Sequence, residues 1–250
     1  CKECIKDAQE YTPDFLNTII EKNLYSIRSI LTPNNSIPLF NGGREEKLEE
    51  FSKFIDAVDY KSKKKKCLIG GIQVFHLKND AIFFDLGEPP KKGFSRSYQS
   101  GPLSFEYYLD GQKIFTNCGF GSSISSKAVL LSRLTSAQST LTLNDTSVTK
   151  FERNKIVNKI FGNSIKNSFK ISKIDFIKTN ENVKFTGSHN GYENSFGCIH
   201  KREISVNIKT KNLIGCDNLI KKKDGKPVNY SIRFHLYPGL TAIKTMIGNS

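Results

Sequence analysis

The chain has 250 residues, of which 37% are hydrophobic and 11% aromatic, and this composition is sufficient for a buried core. It contains no run of about 18 apolar residues, which excludes a membrane-spanning helix from the sequence. The net charge of +14 favours polyanionic partners, but the lysines are spread along the chain and no zinc-finger or RNA-binding motif accompanies them, which argues against nucleic acid.

Residues 1–60 have the pattern of amphipathic helices. Thr12 and Pro13 predict a helix start, with Thr12 as the N-cap and Pro13 at the first helical position. Apolar residues then recur at a spacing of three to four until Pro33, which gives the helix one apolar face. A second helix is predicted from about Glu45, and both apolar faces need a partner to cover them.

From Cys67 onward the hydrophobic period changes to two, which predicts strands. The turn signals Lys78–Asp80 and Asp110–Gln112 each separate two strands, and Asp-Gly supplies the positive φ that a tight hairpin requires. The pattern indicates an antiparallel β-sandwich over residues 61–250. The predicted strands are Gln73–Leu77, Ala81–Leu86, Ser104–Leu109, Lys113–Asn117, Ser139–Asn144, Phe169–Ile177, Asn182–Thr186, Ile204–Ile208 and Tyr230–Leu236.

The six cysteines do not form a metal-binding framework. Cys1 and Cys4 make one CxxC pair, whereas a zinc ribbon needs two such pairs, so we expect the thiols to be buried as small hydrophobic groups. The chain begins at Cys1 and its single methionine is Met246. We therefore interpret the sequence as a fragment that lacks its native start, and the compartment cannot be read from it.

The segment Ser188–Val206 concentrates the titratable groups of the chain. It reads SHNGYENSFGCIHKREISV and holds two of the four histidines, a tyrosine and a Lys-Arg pair. His189, Tyr192 and His200 are therefore candidate site residues, because imidazole and phenol groups transfer protons. The structural alternative is that His200 is a half-buried histidine bonded across the sheet and that the other two lie in a polar loop.

Several segments, in this order, resemble the bacterial heparinase II/III-like family of polysaccharide lyases. They are PLFNGG at 38–43, GFSRSYQSGPLSFEYYLDGQKIFTNCG at 93–119, STLTLNDTS at 139–147, HNGY at 189–192, FGCIHKREISV at 196–206 and IRFHLYP at 232–238. The resemblance implies a mainly β chain: an antiparallel β-sandwich at 61–250, preceded at 1–60 by the last helices of an (α/α) toroid. It also implies cleavage of uronic-acid polysaccharides by β-elimination.

The resemblance also implies roles for individual residues. Tyr192, His189 and His200 correspond to catalytic positions, and His200, before a basic pair, also corresponds to a metal-ligand position. Arg133, Gln138 and Arg202 are candidates for binding the sugar carboxylate, since arginine binds carboxylates with two hydrogen bonds. Relatives tend to carry histidine where this chain has Gln138. An amide is a poor ligand for transition metals, so the substitution argues against a bound divalent ion, zinc or calcium.

The sequence thus predicts part of a bacterial lyase whose partner is an acidic polysaccharide and which, as a fragment, has little activity alone. A non-catalytic glycan-binding or packing module is the alternative, and the substitution at Gln138 favours it. Nucleic-acid binding through the lysine runs Lys61–Lys66 and Lys221–Lys226 is the third reading. Enzymes that degrade such polymers are usually periplasmic or secreted, and the sequence does not define an oligomeric state.

Overall fold

The computed structural model of the chain describes residues 2–46, 48–57, 68–223 and 228–243. Its helices are α1 (Lys2–Asp7), α2 (Asp14–Ile30), α3 (Glu49–Ala57), α4 (Ser126–Ser132), α5 (Lys155–Phe161) and α6 (Glu193–Phe196). Its strands are β1 (Leu68–Ile69), β2 (Ile72–Leu77), β3 (Asp80–Asp85), β4 (Phe105–Leu109), β5 (Gln112–Thr116), β6 (Leu141–Leu143), β7 (Ile171–Lys178), β8 (Asn182–His189), β9 (Cys198–Asn207), β10 (Leu213–Lys221), β11 (Tyr230–Ile232) and β12 (His235–Leu236).

The strands form two main antiparallel sheets. One sheet has six strands in the order β1-β2-β3-β4-β5-β12, and the other has four in the order β10-β9-β8-β7. A short ladder joins β6 to β11. The predicted hairpins are confirmed, and the β4–β5 turn has positive φ at Asp110 (50°) and Gly111 (82°), as a two-residue turn of this kind requires. The fold class is therefore a mainly β sandwich with antiparallel sheets, as predicted.

The core lies between the two main sheets because alternate side chains of each strand point inward. Phe84 and Phe105 of the six-stranded sheet pack with Val183, Phe185 and Ile204 of the four-stranded sheet, and all five are at most 1% exposed. Aromatic contacts join the sheets directly, with the rings of Phe84 and Phe185 5.9 Å apart. The result is one continuous apolar layer.

The opposite face of the six-stranded sheet is covered by the helical segment. Phe40 and Ile30 pack on Phe83 and Tyr108 there, and the Nε2 atom of His76 is 2.8 Å from the carbonyl oxygen of Ser29 in α2. This packing explains why every residue of β3 is buried. Within the described residues, the C-terminal end of α2 thus packs on the sheet.

Several predicted details were wrong. Helix α2 begins at Asp14, one residue later than predicted, with Pro13 in the cap position and no side-chain cap from Thr12. The single strand predicted at Tyr230–Leu236 is two strands, because its first part pairs with β6 and its second with β5. Strand β10 was not predicted at all.

The cysteine prediction also needs correction. Cys4, Cys118 and Cys216 are exposed, and of the described cysteines only Cys198 is buried.

Some predicted features lie outside the described residues. They are Cys1 and Cys67, the run Lys61–Lys66, the end of the second lysine run and the residues around the expected domain boundary. No described helix is long and apolar enough to cross a membrane. The division of the chain near residue 60 stays a prediction.

Candidate functional site

The register of the four-stranded sheet brings the candidate residues together. His189 of β8 lies directly opposite His200 of β9, and two residues further along Gly187 lies opposite Arg202. Asp217 of β10 is the partner of Arg202 on the other side of β9. Because side chains alternate along a strand, His200 and Arg202 share the inward face of β9 with the apolar core residues. The site is therefore built inside the sandwich.

A directional chain of hydrogen bonds connects these side chains. The backbone N–H of Gly191 donates to Nδ1 of His189 at 3.1 Å, so Nε2 of that ring carries the proton and donates to Nδ1 of His200 at 3.1 Å. Nε2 of His200 then donates to Oδ1 of Asp217 at 2.6 Å. Both histidines are neutral in this arrangement, and each uses both ring nitrogens.

Arg202 supplies the positive charge at the end of this chain. Its Nε and Nη2 atoms donate to the two carboxylate oxygens of Asp217 at 2.7 and 3.0 Å, which is a bidentate pair. Its Nη1 atom donates to the carbonyl oxygens of Leu103 and Ser139 at 3.2 and 2.8 Å. Arg202 thus connects the four-stranded sheet to the loops that border the other sheet.

The pKa values follow from burial and from these bonds. Burial lowers the pKa of His189 well below its usual value, and the neighbouring His200 and Arg202 lower it further. Burial and the charge of Arg202 also lower the pKa of His200, although its hydrogen bond to Asp217 acts in the opposite direction. Burial alone would raise the pKa of Asp217, but hydrogen bonds from His200 and Arg202 lower it to about 2. The group therefore contains one ion pair and two neutral imidazoles.

Tyr192 and Arg133 are also bonded to backbone carbonyl groups inside the protein. The hydroxyl of Tyr192 donates to the carbonyl oxygen of Leu141 at 3.0 Å, and burial raises the pKa of this phenol beyond its normal range. The guanidinium of Arg133 donates to the carbonyl oxygens of Tyr98 and Ser95 at 2.8 and 2.7 Å. Each side chain fixes the loops around it and offers no donor to solvent.

Gln138 lies in a separate polar cluster. Its Nε2 atom donates to the carbonyl oxygen of Ser132 at 2.8 Å, and Nε2 of Gln99 donates to the same oxygen at 3.0 Å. The Oε1 atom of Gln99 accepts the N–H of Gly42 in the helical segment at 3.0 Å. The two amides therefore join the sandwich to the preceding segment.

The predicted site residues share one property that the sequence did not indicate: none has more than 1% of its surface exposed. They are Arg133, Gln138, His189, Tyr192, His200 and Arg202. These side chains are enclosed by the protein, and of the set only Tyr192 also borders a surface cavity. Their catalytic and substrate-binding roles stay predictions, and the geometry favours a positioning role over direct contact.

The residues do not fit the divalent metal that the resemblance implies. His189 and His200 hydrogen-bond to each other through the nitrogens that would face a shared ion, and Asp217 bonds the far side of the second ring. Within the described ranges, no group of three or more His, Cys, Asp and Glu side chains could hold a metal. The positive charge beside Asp217 comes from Arg202 instead.

Asp217 is the member of this group that sequence reasoning missed. Strand β10, which carries it, is largely exposed and shows no clean alternation of apolar and polar residues. The signal that could have found it is Arg202 on the neighbouring strand, since a buried charge is stabilised by an opposite charge beside it. Gly191 and Tyr192, beside the network, line a surface cavity of about 250 Å³.

Comparisons with known proteins agree with this architecture. The family model described as heparinase II/III-like, C-terminal, matches residues 61–249. Among curated proteins, none matches the chain with significance. The solved heparan sulfate lyase HepC from Pedobacter heparinus has a TM-score of 0.62 at 17% identity over 90% of this chain and 35% of its own.

Two further solved structures show the same fold. A heparinase III gene product has a TM-score of 0.65 at 16% identity, covering 94% of this chain and 37% of its own. Another structure of heparinase III has a TM-score of 0.61 at 14% identity, covering 91% and 37%. The chain spans little more than a third of the length of these proteins.

Proposed function

The chain belongs to the heparinase II/III-like family through residues 61–249, and from this premise we propose that it is part of a lyase that cleaves an acidic polysaccharide. One observation carries the proposal: the helical segment and the sandwich together match proteins named heparan sulfate lyase and heparinase III over at least 90% of this chain. The net charge of +14 suits an anionic polymer.

The proposed reaction is β-elimination next to a uronic acid. It requires a group that neutralises the sugar carboxylate, a base that removes the α-proton and an acid that protonates the leaving oxygen. His200, Tyr192 and His189 have the right chemistry, but their hydrogen bonds and burial favour a positioning role in the arrangement described above. We therefore propose that residues other than these three transfer the protons.

The second candidate function is a non-catalytic glycan-binding module. It is favoured by the amide cluster, in which Gln138 and Gln99 are committed to the Ser132 carbonyl and cannot titrate. It is also favoured by the burial of His189 and His200, because neither side chain is exposed to a substrate. In this case the protein would bind an acidic glycan through its surface and release it unchanged.

The test is a product assay on the chain and on the longest protein that contains it. Heparan sulfate, chondroitin, hyaluronan and alginate are each incubated with the protein, and the ultraviolet absorbance of the unsaturated uronate is followed. A rise with one polymer supports the lyase, and we expect it to be weak with the chain alone. A flat trace with every polymer, together with measurable binding of one of them, supports the non-catalytic module and contradicts the lyase.

Variants assign the role of the buried histidines. If His200→Gln lowers kcat and KM stays constant while the protein remains folded, the residue contributes to the chemical step. If the same variant lowers the unfolding temperature and leaves the kcat of the folded fraction unchanged, His200 is a positioning residue, as its contacts indicate.

A further inference from the structure

We propose that a surface groove bordered by residues 145–153 and 190–196 binds an anionic oligosaccharide, with Lys150 as its central cation. The inference rests on the proposed function for the class of ligand, and it adds a binding site. Of the catalytic and substrate-binding residues that the sequence predicted, only Tyr192 lines this groove.

The groove consists of two cavities that share a wall. The smaller has a volume of about 250 Å³ and the larger about 860 Å³, and Thr146, Ser147 and Lys150 line both. The two cavities are therefore neighbours, and Lys150 lies at their boundary. The larger cavity alone lies within the range of about 300–1,000 Å³ that is usual for small-ligand sites.

The charges in the groove favour an anion. The Lys150 ammonium is exposed and has no ion-pair partner among the residues that the structure describes, and the same holds for the Arg153 guanidinium. The groove carboxylates are already engaged: Asp145 pairs with Arg233 at 3.0 Å, and Glu152 pairs with Lys166 at 3.2 Å. A carboxylate or sulfate on a sugar would therefore find the unpaired Lys150 ammonium at the junction of the two cavities and the unpaired Arg153 guanidinium in the larger one.

The floor of the larger cavity is apolar. Phe151, Leu130, Leu131 and Leu134 line it, and the two leucines of α4 are 42% and 51% exposed. Sugar rings present C–H faces as well as hydroxyl groups, and sites for such ligands combine apolar surface with a few placed polar groups. The guanidinium of Arg133 lies 4.2 Å from the ring centre of Phe151, so the predicted substrate-binding arginine supports this floor from the interior.

The rim of the smaller cavity provides neutral hydrogen-bonding groups. Asn194 and Ser195 are exposed on α6, and their side chains make no hydrogen bond within the described part of the chain. An amide and a hydroxyl both donate and accept, which suits sugar hydroxyl groups. The turn that presents them is fixed from below, because the N–H of Gly191 is bonded to the buried His189. The buried network therefore positions one wall of the groove.

The experiment is a calorimetric titration of the full chain with a heparan sulfate hexasaccharide. Lys150→Ala is compared with Lys22→Ala, which removes the same charge from an exposed position on α2 outside the groove. We expect the Kd to rise about tenfold for Lys150→Ala, the cost of losing one charged contact, and to change less than about twofold for Lys22→Ala. A carboxyl-reduced, desulfated hexasaccharide should bind more weakly than the charged one.

Three outcomes overturn the groove as a site. They are an equal loss for both variants, which indicates non-specific attraction; tighter binding of a single-stranded oligonucleotide at the same groove; and no measurable binding of the hexasaccharide. The product assay is independent of these results. If the longest protein yields unsaturated product and Lys150→Ala leaves its KM unchanged, the groove fails and the lyase stands. If Lys150 is needed for binding and no product forms, the groove stands and the lyase fails.

Discussion

Acidification should destabilise this protein through its buried histidine pair. His189 and His200 are neutral and fully buried in the folded state, and the pKa of each is lowered by burial. In the unfolded chain each imidazole has an ordinary pKa of about 6.5. The unfolded state therefore binds more protons below that pH, so the stability is complete above about pH 6.5 and falls as the pH drops below it.

The magnitude follows from the number of protons taken up. Between about pH 7.5 and 5.5, a histidine that titrates only in the unfolded state costs about 1.4 kcal/mol, and two cost about 2.7 kcal/mol. Against a typical stability of about 5–15 kcal/mol, this loss is easily measured. This loss is expected over the pH range in which both histidines stay neutral in the folded protein.

Denaturant unfolding at the two pH values gives the assay. Burial also raises the pKa of Asp85 to about 7 despite its hydrogen bond to Gly87. The effect of this carboxyl group on the pH dependence of stability is opposite to that of the histidines, because its contribution to stability is lost as the pH rises. The quantity to measure is therefore the difference between the wild type and His189→Gln/His200→Gln, in which the Asp85 contribution cancels.

Equal losses of unfolding free energy in the wild type and the double variant would refute this reasoning. Because the double variant is itself at risk of not folding, the wild type provides a second measurement. Its four histidines give few imidazole NMR signals. Those of His189 and His200 should stay constant between about pH 8 and 5.5, and titration of either near pH 6.5 would contradict the assignment.

Three further predictions concern single substitutions measured by denaturant unfolding. Arg202→Ala should cost about 3–5 kcal/mol because it leaves the Asp217 carboxylate buried without its cation, and a loss below about 1 kcal/mol would contradict the pair. Gly187→Ala should cost about 1–3 kcal/mol, since its Cβ would lie 2.5 and 2.7 Å from two leucine methyl carbons, whereas Gly93→Ala has open space and should cost far less. Tyr192→Phe should cost about 0.5–1.5 kcal/mol through the lost bond to a buried carbonyl, and an unchanged stability would show that the bond contributes nothing.

The strands were largely predictable because their signals are local. The hairpin turns at Lys78 and Asp110 lie where the period-two pattern and the Asp-Gly pair indicated. Strand β10 was missed because an exposed edge strand buries few side chains and so carries no alternation. The Tyr230–Leu236 segment was misread because a change of pairing partner within a run of β-forming residues leaves no trace in composition.

The sequence by itself determined that His189, Tyr192 and His200 lie close together, since one short turn connects their strands. The strand predicted at Ile204–Ile208 did not reach His200 or Arg202, and the structure extends it to Cys198–Asn207, where the two share a face. Only the tertiary structure decided that this face is the interior, that Asp217 from another strand neutralises the arginine, and that the exposed cation is Lys150. Burial and charge pairing depend on which strands become neighbours and which sheet covers them, and those contacts are made between residues that are distant along the chain.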